Sequence, residues 1–213
     1  MSQPEPWELA DPDSYPDMNY LLTEAARVRY LIAAHHVQHC EQVVEIGGFK
    51  TPVTGFLSQV PRRVLVVDPL IRSYRASQLR GVPCQVEHVC TAFQSHRFEL
   101  PQGRYGLVLL GLSLKHFSVD ASSREREWNQ LVALVAQSQV AVVEWALEWP
   151  PGRDSGERLL QQIDGQLILD IDLDFARSPG ADTIHHRRRL VVLRPAHDSR
   201  WAEVDGRSCQ LPR

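Results

Sequence analysis

Residues Val43 to Asp68 read VVEIGGFKTPVTGFLSQVPRRVLVVD. A short apolar run, Val43, Val44 and Ile46, stops at Gly47-Gly48, and the only polar residue inside it is Glu45. Thr51-Pro52 then has the form of a helix start, a hydroxyl residue followed by proline at the first helical position. A second apolar run, Val64 to Val67, ends on Asp68. The order is strand, glycine turn, helix, strand tipped by an acid. In parallel α/β sheets this order builds a nucleoside pocket: glycines let the ligand approach the backbone, and the acid reaches ribose hydroxyls.

The same alternation continues outward. A helix is expected from about 17 to 39, with apolar residues at 21, 22, 25, 28, 31, 32 and 33. Strands are expected at 43–46, 64–67, 85–90, 106–111 and 140–145, with helices at about 52–59, 71–80, 122–137 and 154–163. Near-continuous apolar strands alternating with helices predict a parallel sheet covered on both faces. The pattern changes at 167–175, where Leu167, Leu169, Ile171, Leu173 and Phe175 alternate with Asp170, Asp172 and Asp174. Period two with one polar face marks a strand near a sheet edge. A turn-rich stretch and a further strand at about 188–193 complete an antiparallel hairpin. Residues 1–16, rich in proline and acids, form an expected extended arm, 17–195 a single domain, and 196–213 a tail.

Five αβ units closed by a hairpin resemble the class I S-adenosylmethionine (SAM) dependent methyltransferases over roughly residues 17–195. The resemblance implies a three-layer α/β sandwich with a mostly parallel seven-stranded sheet, order 3-2-1-4-5-7-6, strand seven antiparallel. Glu45-Ile46-Gly47-Gly48 is similar to the family's glycine-rich loop, and Phe49 stands where that pattern has a second glycine. Asp68 matches the acid that holds the ribose. Leu109 to Phe117 is similar to the segment after the fourth strand. The resemblance thereby implies SAM as cofactor, held by Glu45, Gly47, Gly48, Phe49, Asp68, Thr91 and Gly111. Thr91 falls where the family often has an acid near the adenine. His116, beside the expected methyl group, is the candidate catalytic base, with a structural role as its alternative. Tyr15, Tyr20 and Trp145 are candidate acceptor-binding residues, with Glu144 and Trp149 on the same edge.

Other readings carry less. The 47–68 spacing also suits a dinucleotide fold, but GxGxxG is absent and the chain closes on a hairpin. GGFKT lacks the spacing of a phosphate loop. His35 and His39 have metal-pair spacing with no third ligand placed by sequence, so no metal is expected. The three aspartates read as the solvated face of an edge strand, with Arg187 to Arg189 as cross-strand neighbours.

The chain has 213 residues, 43 % hydrophobic and 23 % charged, a soluble globular balance. Its net charge of −3 offers no bulk attraction to nucleic acid or anionic membrane, so neither is an expected partner. A small-molecule or peptide acceptor is expected, with a protein partner or a second copy of the chain as further possibilities. Four cysteines without a CxxC pair, and no signal-like or membrane-spanning stretch, suggest free thiols and a cytoplasmic setting. The functional expectation is methyl transfer from SAM. Its alternative is a methyltransferase-like binding or partner subunit that keeps the fold without the chemistry.

Overall fold

A computed structural model describes residues 24–49, 51–174 and 187–196. The elements are α1 (Glu24–Val37), β1 (Gln42–Ile46), β2 (Arg63–Asp68), β3 (Tyr74–Leu79), β4 (Val82–Cys90), β5 (Tyr105–Leu110), α2 (Ala121–Gln137), β6 (Val140–Ala146), α3 (Pro150–Gln162), β7 (Gly165–Asp174) and β8 (Arg187–Pro195). All eight strands join one sheet in the order β3-β4-β2-β1-β5-β6-β8-β7. With β3 set aside, this is the expected 3-2-1-4-5-7-6 order. β8 lies antiparallel between β6 and β7, and β1, β2, β4, β5 and β6 run parallel.

Alternation along the strands builds two cores. Val43, Val64, Val66, Val86, Val108, Val142, Leu190 and Val192 pack with Ala33, Ala34 and Val37 of α1. Val44, Ile46, Leu65, Val67, Leu107, Leu109, Val143, Val191 and Leu193 pack with α2 and α3 through Trp128, Leu131, Val135 and Leu159. Strands buried on both faces explain the near-continuous apolar runs. Asp120 caps α2 by accepting from the Ser123 backbone N–H at 2.8 Å. Its carboxyl lies low, at about 2, held there by hydrogen bonds from Ser122 and Ser123.

Two expected helices are absent. Where a helix was expected over 71–80, Tyr74–Leu79 forms β3, the extra edge strand. Ile71, Tyr74 and Leu79 do recur at helical spacing, but Arg80 (φ 52°) and Gly81 (φ 76°) make a two-residue turn that pairs Leu79 with Val82. Two consecutive left-handed residues match the twist of a hairpin, and local pairing overrides the periodic signal. Residues 52–59 form only a four-residue 3-10 turn, Val53–Phe56. Two β-branched residues and a glycine, Val53-Thr54-Gly55, are poor helix formers. The helix expected over 17–39 is described from Glu24 onward. The N-terminal arm falls outside the described residues, as does the tail beyond residue 196.

The hairpin at the far edge is as expected, with β7 and β8 antiparallel. Asp170 accepts from Arg189 Nε and Nη2 at 2.8 and 2.7 Å, and Arg187 lies 3.7 Å from Asp172. Arg188, between them, turns to the opposite face and is buried.

Candidate functional site

The chain leaves β1 toward β2 on one side, while β5 pairs on the other, so the crevice past the ends of β1 and β5 is the topological switch point of the sheet. Gly47 and Gly48 occupy it with φ of +92° and +103°. Both angles are left-handed, a conformation that glycine adopts without steric cost. A Cβ on Gly47 would lie 3.6 Å from the Leu110 carbonyl and 4.0 Å from Asp68 Oδ2, so three strand ends converge here. A Cβ on Gly111, just past β5, would meet nothing within 4 Å. A Cβ at Gly47 would stand in ordinary contact distance, and the space beside Gly111 is open.

Behind the turn lies Glu45, almost wholly buried on the α1 face of β1. Its Oε2 accepts from the Val53 backbone N–H at 2.7 Å. A Cβ on Gly48 would stand 2.6 Å from the Glu45 carboxyl carbon, so the loop is moulded around this side chain. Burial drives the Glu45 carboxyl well above its ordinary range; Val53 N–H and the Arg29 charge oppose the shift, and Asp68 adds to it. The 3-10 turn does not present a free helix N-terminus to a ligand carboxylate, because its first N–H is already bound to Glu45.

Asp68 closes β2 as expected, but it turns back on its own chain. Oδ1 accepts from the Leu70 N–H at 2.7 Å, and the carboxylate also accepts from the backbones of Ile71 and Phe49. Burial raises its pKa, and these three N–H groups offset only part of the rise. A carboxylate offers about four acceptor positions, so capacity remains for one ligand hydroxyl. Phe49 is buried, yet it belongs to neither sheet-face cluster. Thr91 is half-buried one residue past β4, beside the Asp68–Cys90 register pair.

His116 ends a short 3-10 turn after β5, and its side chain is exposed. Its carbonyl accepts from Gln94 Nε2 at 2.6 Å, and neighbouring Lys115 lies 5.8 Å over the Trp149 ring. Trp145 is not on this rim. It is fully buried in the α2/α3 core, and a Cβ on Gly156 of α3 would come within 2.2 Å of its ring. Residue 145 falls on the opposite face from residue 144, so the acceptor role expected of Trp145 has no open surface to act through. Tyr15 and Tyr20 lie outside the described residues. His35 stacks edge-on with His36 at 5.2 Å and touches Gln38. Among the described residues no three His, Cys, Asp or Glu side chains gather as a metal site.

A feature not expected from sequence sits under α1. Glu144 of β6 accepts from Arg29 Nη1 at 3.1 Å through both oxygens, and from Arg188 Nη1 at 3.1 and 3.2 Å. All three residues are buried. Burial would raise the Glu144 carboxyl; Arg188 and Arg29 outweigh it and hold the group low. Arg29 also donates to the Tyr30 hydroxyl at 3.0 Å, and Tyr30 stacks on Phe56 of the 3-10 turn at 5.1 Å. One sequence signal was available: a carboxylate inside VAVVEWA, a strand buried throughout, demands a partner. The identity of that partner was not readable, since Arg29 lies 115 residues away.

No family model and no curated protein sequence matches the chain. Solved structures do. The N-methyltransferase NodS from Bradyrhizobium japonicum, in complex with S-adenosyl-L-homocysteine, aligns at TM-score 0.57 and 13 % identity over 88 % of this chain and 94 % of its own. The Burkholderia thailandensis 1,6-didemethyltoxoflavin-N1-methyltransferase, also with S-adenosylhomocysteine, aligns at 0.51 and 14 % identity over 92 % and 93 %. A dimethyladenosine transferase from Plasmodium falciparum aligns at 0.50 and 11 % identity over 86 % and 66 %. With its sheet order, antiparallel strand and glycine turn, the chain has the class I SAM-dependent methyltransferase fold.

Proposed function

We propose that the chain is a SAM-dependent methyltransferase acting on a small-molecule or peptide acceptor. The observation that carries this reading is the convergence at the switch point of Gly47, the Leu110 carbonyl and Asp68, with open space at Gly111. Two proteins of the same fold bind S-adenosylhomocysteine at comparable overall length. SAM supplies an electrophilic methyl group on a sulfonium, and in-line transfer draws most of its rate from alignment at close range. The chain's own task is then to hold and orient. Gly47 and Gly111 leave room at the backbone, Asp68 accepts a ribose hydroxyl, and Glu45 with Gly48 and Phe49 keeps the loop in shape. In this reading Thr91 borders the base, and the exposed His116 takes a proton from the acceptor.

Acceptor chemistry is the finer part of the proposal. Relatives in fold include a methyltransferase of a small heterocycle and a dimethyladenosine transferase. The net charge of −3 favours the small acceptor over a nucleic acid. The second reading, a binding subunit that keeps the fold without transfer, draws on the engagement of Val53 N–H by Glu45 and of Asp68 by three backbone groups.

Thermal denaturation with SAM and with S-adenosylhomocysteine separates the two. At a hundredfold excess over Kd, binding adds about 2.7 kcal/mol, which for a chain of this size raises Tm by roughly 5–10 °C. The shift should shrink in Asp68→Asn, which loses the charge while keeping the shape. No shift with either ligand at millimolar concentration would sink the enzyme reading and leave the binding subunit.

A further inference from the structure

The Arg29–Glu144–Arg188 triad is an unusual thing to bury. An ion cluster taken out of water loses hydration that its own attraction barely restores, and apolar replacements of such clusters are often as stable or more so. Stability is therefore a poor reason for it. Its connections suggest another. Through its backbone carbonyl, Glu144 accepts from Gly111 N–H at 2.9 Å and from Leu112 N–H at 2.8 Å, the first two residues past β5. Through its side chain the same residue grips Arg29 of α1 and Arg188 of β8. From Arg29 the path continues to the Tyr30 hydroxyl and from the Tyr30 ring to Phe56, which follows the glycine turn. Charge on Arg29 also acts on Glu45 beneath that turn. The wall at Gly111-Leu112 thus hangs on the backbone carbonyl of Glu144, whose carboxylate grips α1, the helix that packs through Tyr30 on the 3-10 turn behind Gly47-Gly48.

We propose that Glu144 and Arg29 are positioning residues that fix the spacing of the two walls of the ligand crevice, with α1 as the brace between them. Neither residue touches the ligand. The inference rests on the methyl-transfer reading only for the identity of that ligand.

The test uses Arg29→Met in the full chain. This variant leaves Glu144 matched one to one by Arg188, and so avoids stranding a buried charge. The expected result is a Tm within a few degrees of the parent, Kd for S-adenosylhomocysteine weakened tenfold or more, and faster amide exchange at Gly111, Leu112, Gly47, Gly48 and Val53 together. Unchanged exchange with a Kd within twofold of the parent overturns the proposal. So does acceleration confined to α1, which would mean a purely local anchor. Should Arg29→Met fail to fold, Arg29→Met/Glu144→Leu/Arg188→Met takes its place, keeping apolar contact under α1 without polar registration. Should the parent bind no S-adenosylhomocysteine, the methyl-transfer reading fails by itself, and joint exchange at the two walls still decides this proposal.

Discussion

At the scale of single residues, two acids do work that their positions in sequence did not disclose. Glu45 and Asp68 were both legible as site residues, since each interrupts or ends an apolar strand. Their partners were not, because a backbone N–H eight residues away has no signature in the side-chain pattern. The geometry makes Gly48 the most demanding position in the loop. An alanine there would need a left-handed φ of +103° and would drive its Cβ to 2.6 Å from the Glu45 carboxyl carbon. Backbone strain of this kind costs about 1–3 kcal/mol, and the clash adds to it. Gly48→Ala should therefore lose at least about 2 kcal/mol in urea denaturation. A loss under half of that would mean the loop can move off Glu45.

Among elements, the centre of the sheet was readable because β1, β2, β5 and β6 are apolar on both faces, a pattern that few other arrangements share. The helices divide into two groups. α2 and α3 follow their patterns closely, while the expected helices at 52–59 and 71–80 do not exist. The two failures have different causes: Val53-Thr54-Gly55 is a poor helix former in one, and the Arg80-Gly81 turn pairs β3 with β4 in the other. Trp145 shows a further limit, since strand parity put it on the α3 side, where the sequence alone gave no hint of Gly156 above it. That contact yields a sharp expectation. Alanine in place of glycine inside a helix ordinarily gains about 1 kcal/mol. At Gly156 the new Cβ would come within 2.2 Å of the Trp145 ring, so α3 must shift. Overpacking of this sort costs about 1–3 kcal/mol, so Gly156→Ala should come out destabilised, and a higher Tm would contradict the packing described.

For the molecule as a whole, pH response follows from burial. His88 of β4 is buried, with Nε2 3.4 Å from Thr54 Oγ1 and the Tyr74 ring at 5.5 Å. Burial lowers its pKa from 6.5 to about 4. Between those values the unfolded chain takes up the proton and the folded one does not, so stability falls as pH drops from about 6.5 toward 4. The loss is on the order of 3 kcal/mol for this group. Glu45 acts in the opposite sense, because its raised pKa favours the folded state at low pH and that advantage fades as pH rises. Stability of the parent and of His88→Gln, measured from pH 7 to 4, should converge toward the acid end. Parallel curves would place the titration elsewhere.

The two-residue turn at Arg80-Gly81 also bears on how the chain reaches this structure. Because β3 returns directly onto β4, the pairing at that margin closes locally, as a hairpin does within about 1–10 μs. The β7–β8 pair at the other margin is likewise consecutive in the chain. Pairings between strands distant in sequence, such as β1 with β5 and β6 with β8, lie inside the sheet. Loop-closure entropy is therefore concentrated at the centre, in the strands whose ends form the crevice. The part of the molecule assigned to ligand binding is also the part whose assembly sets the topological difficulty of folding.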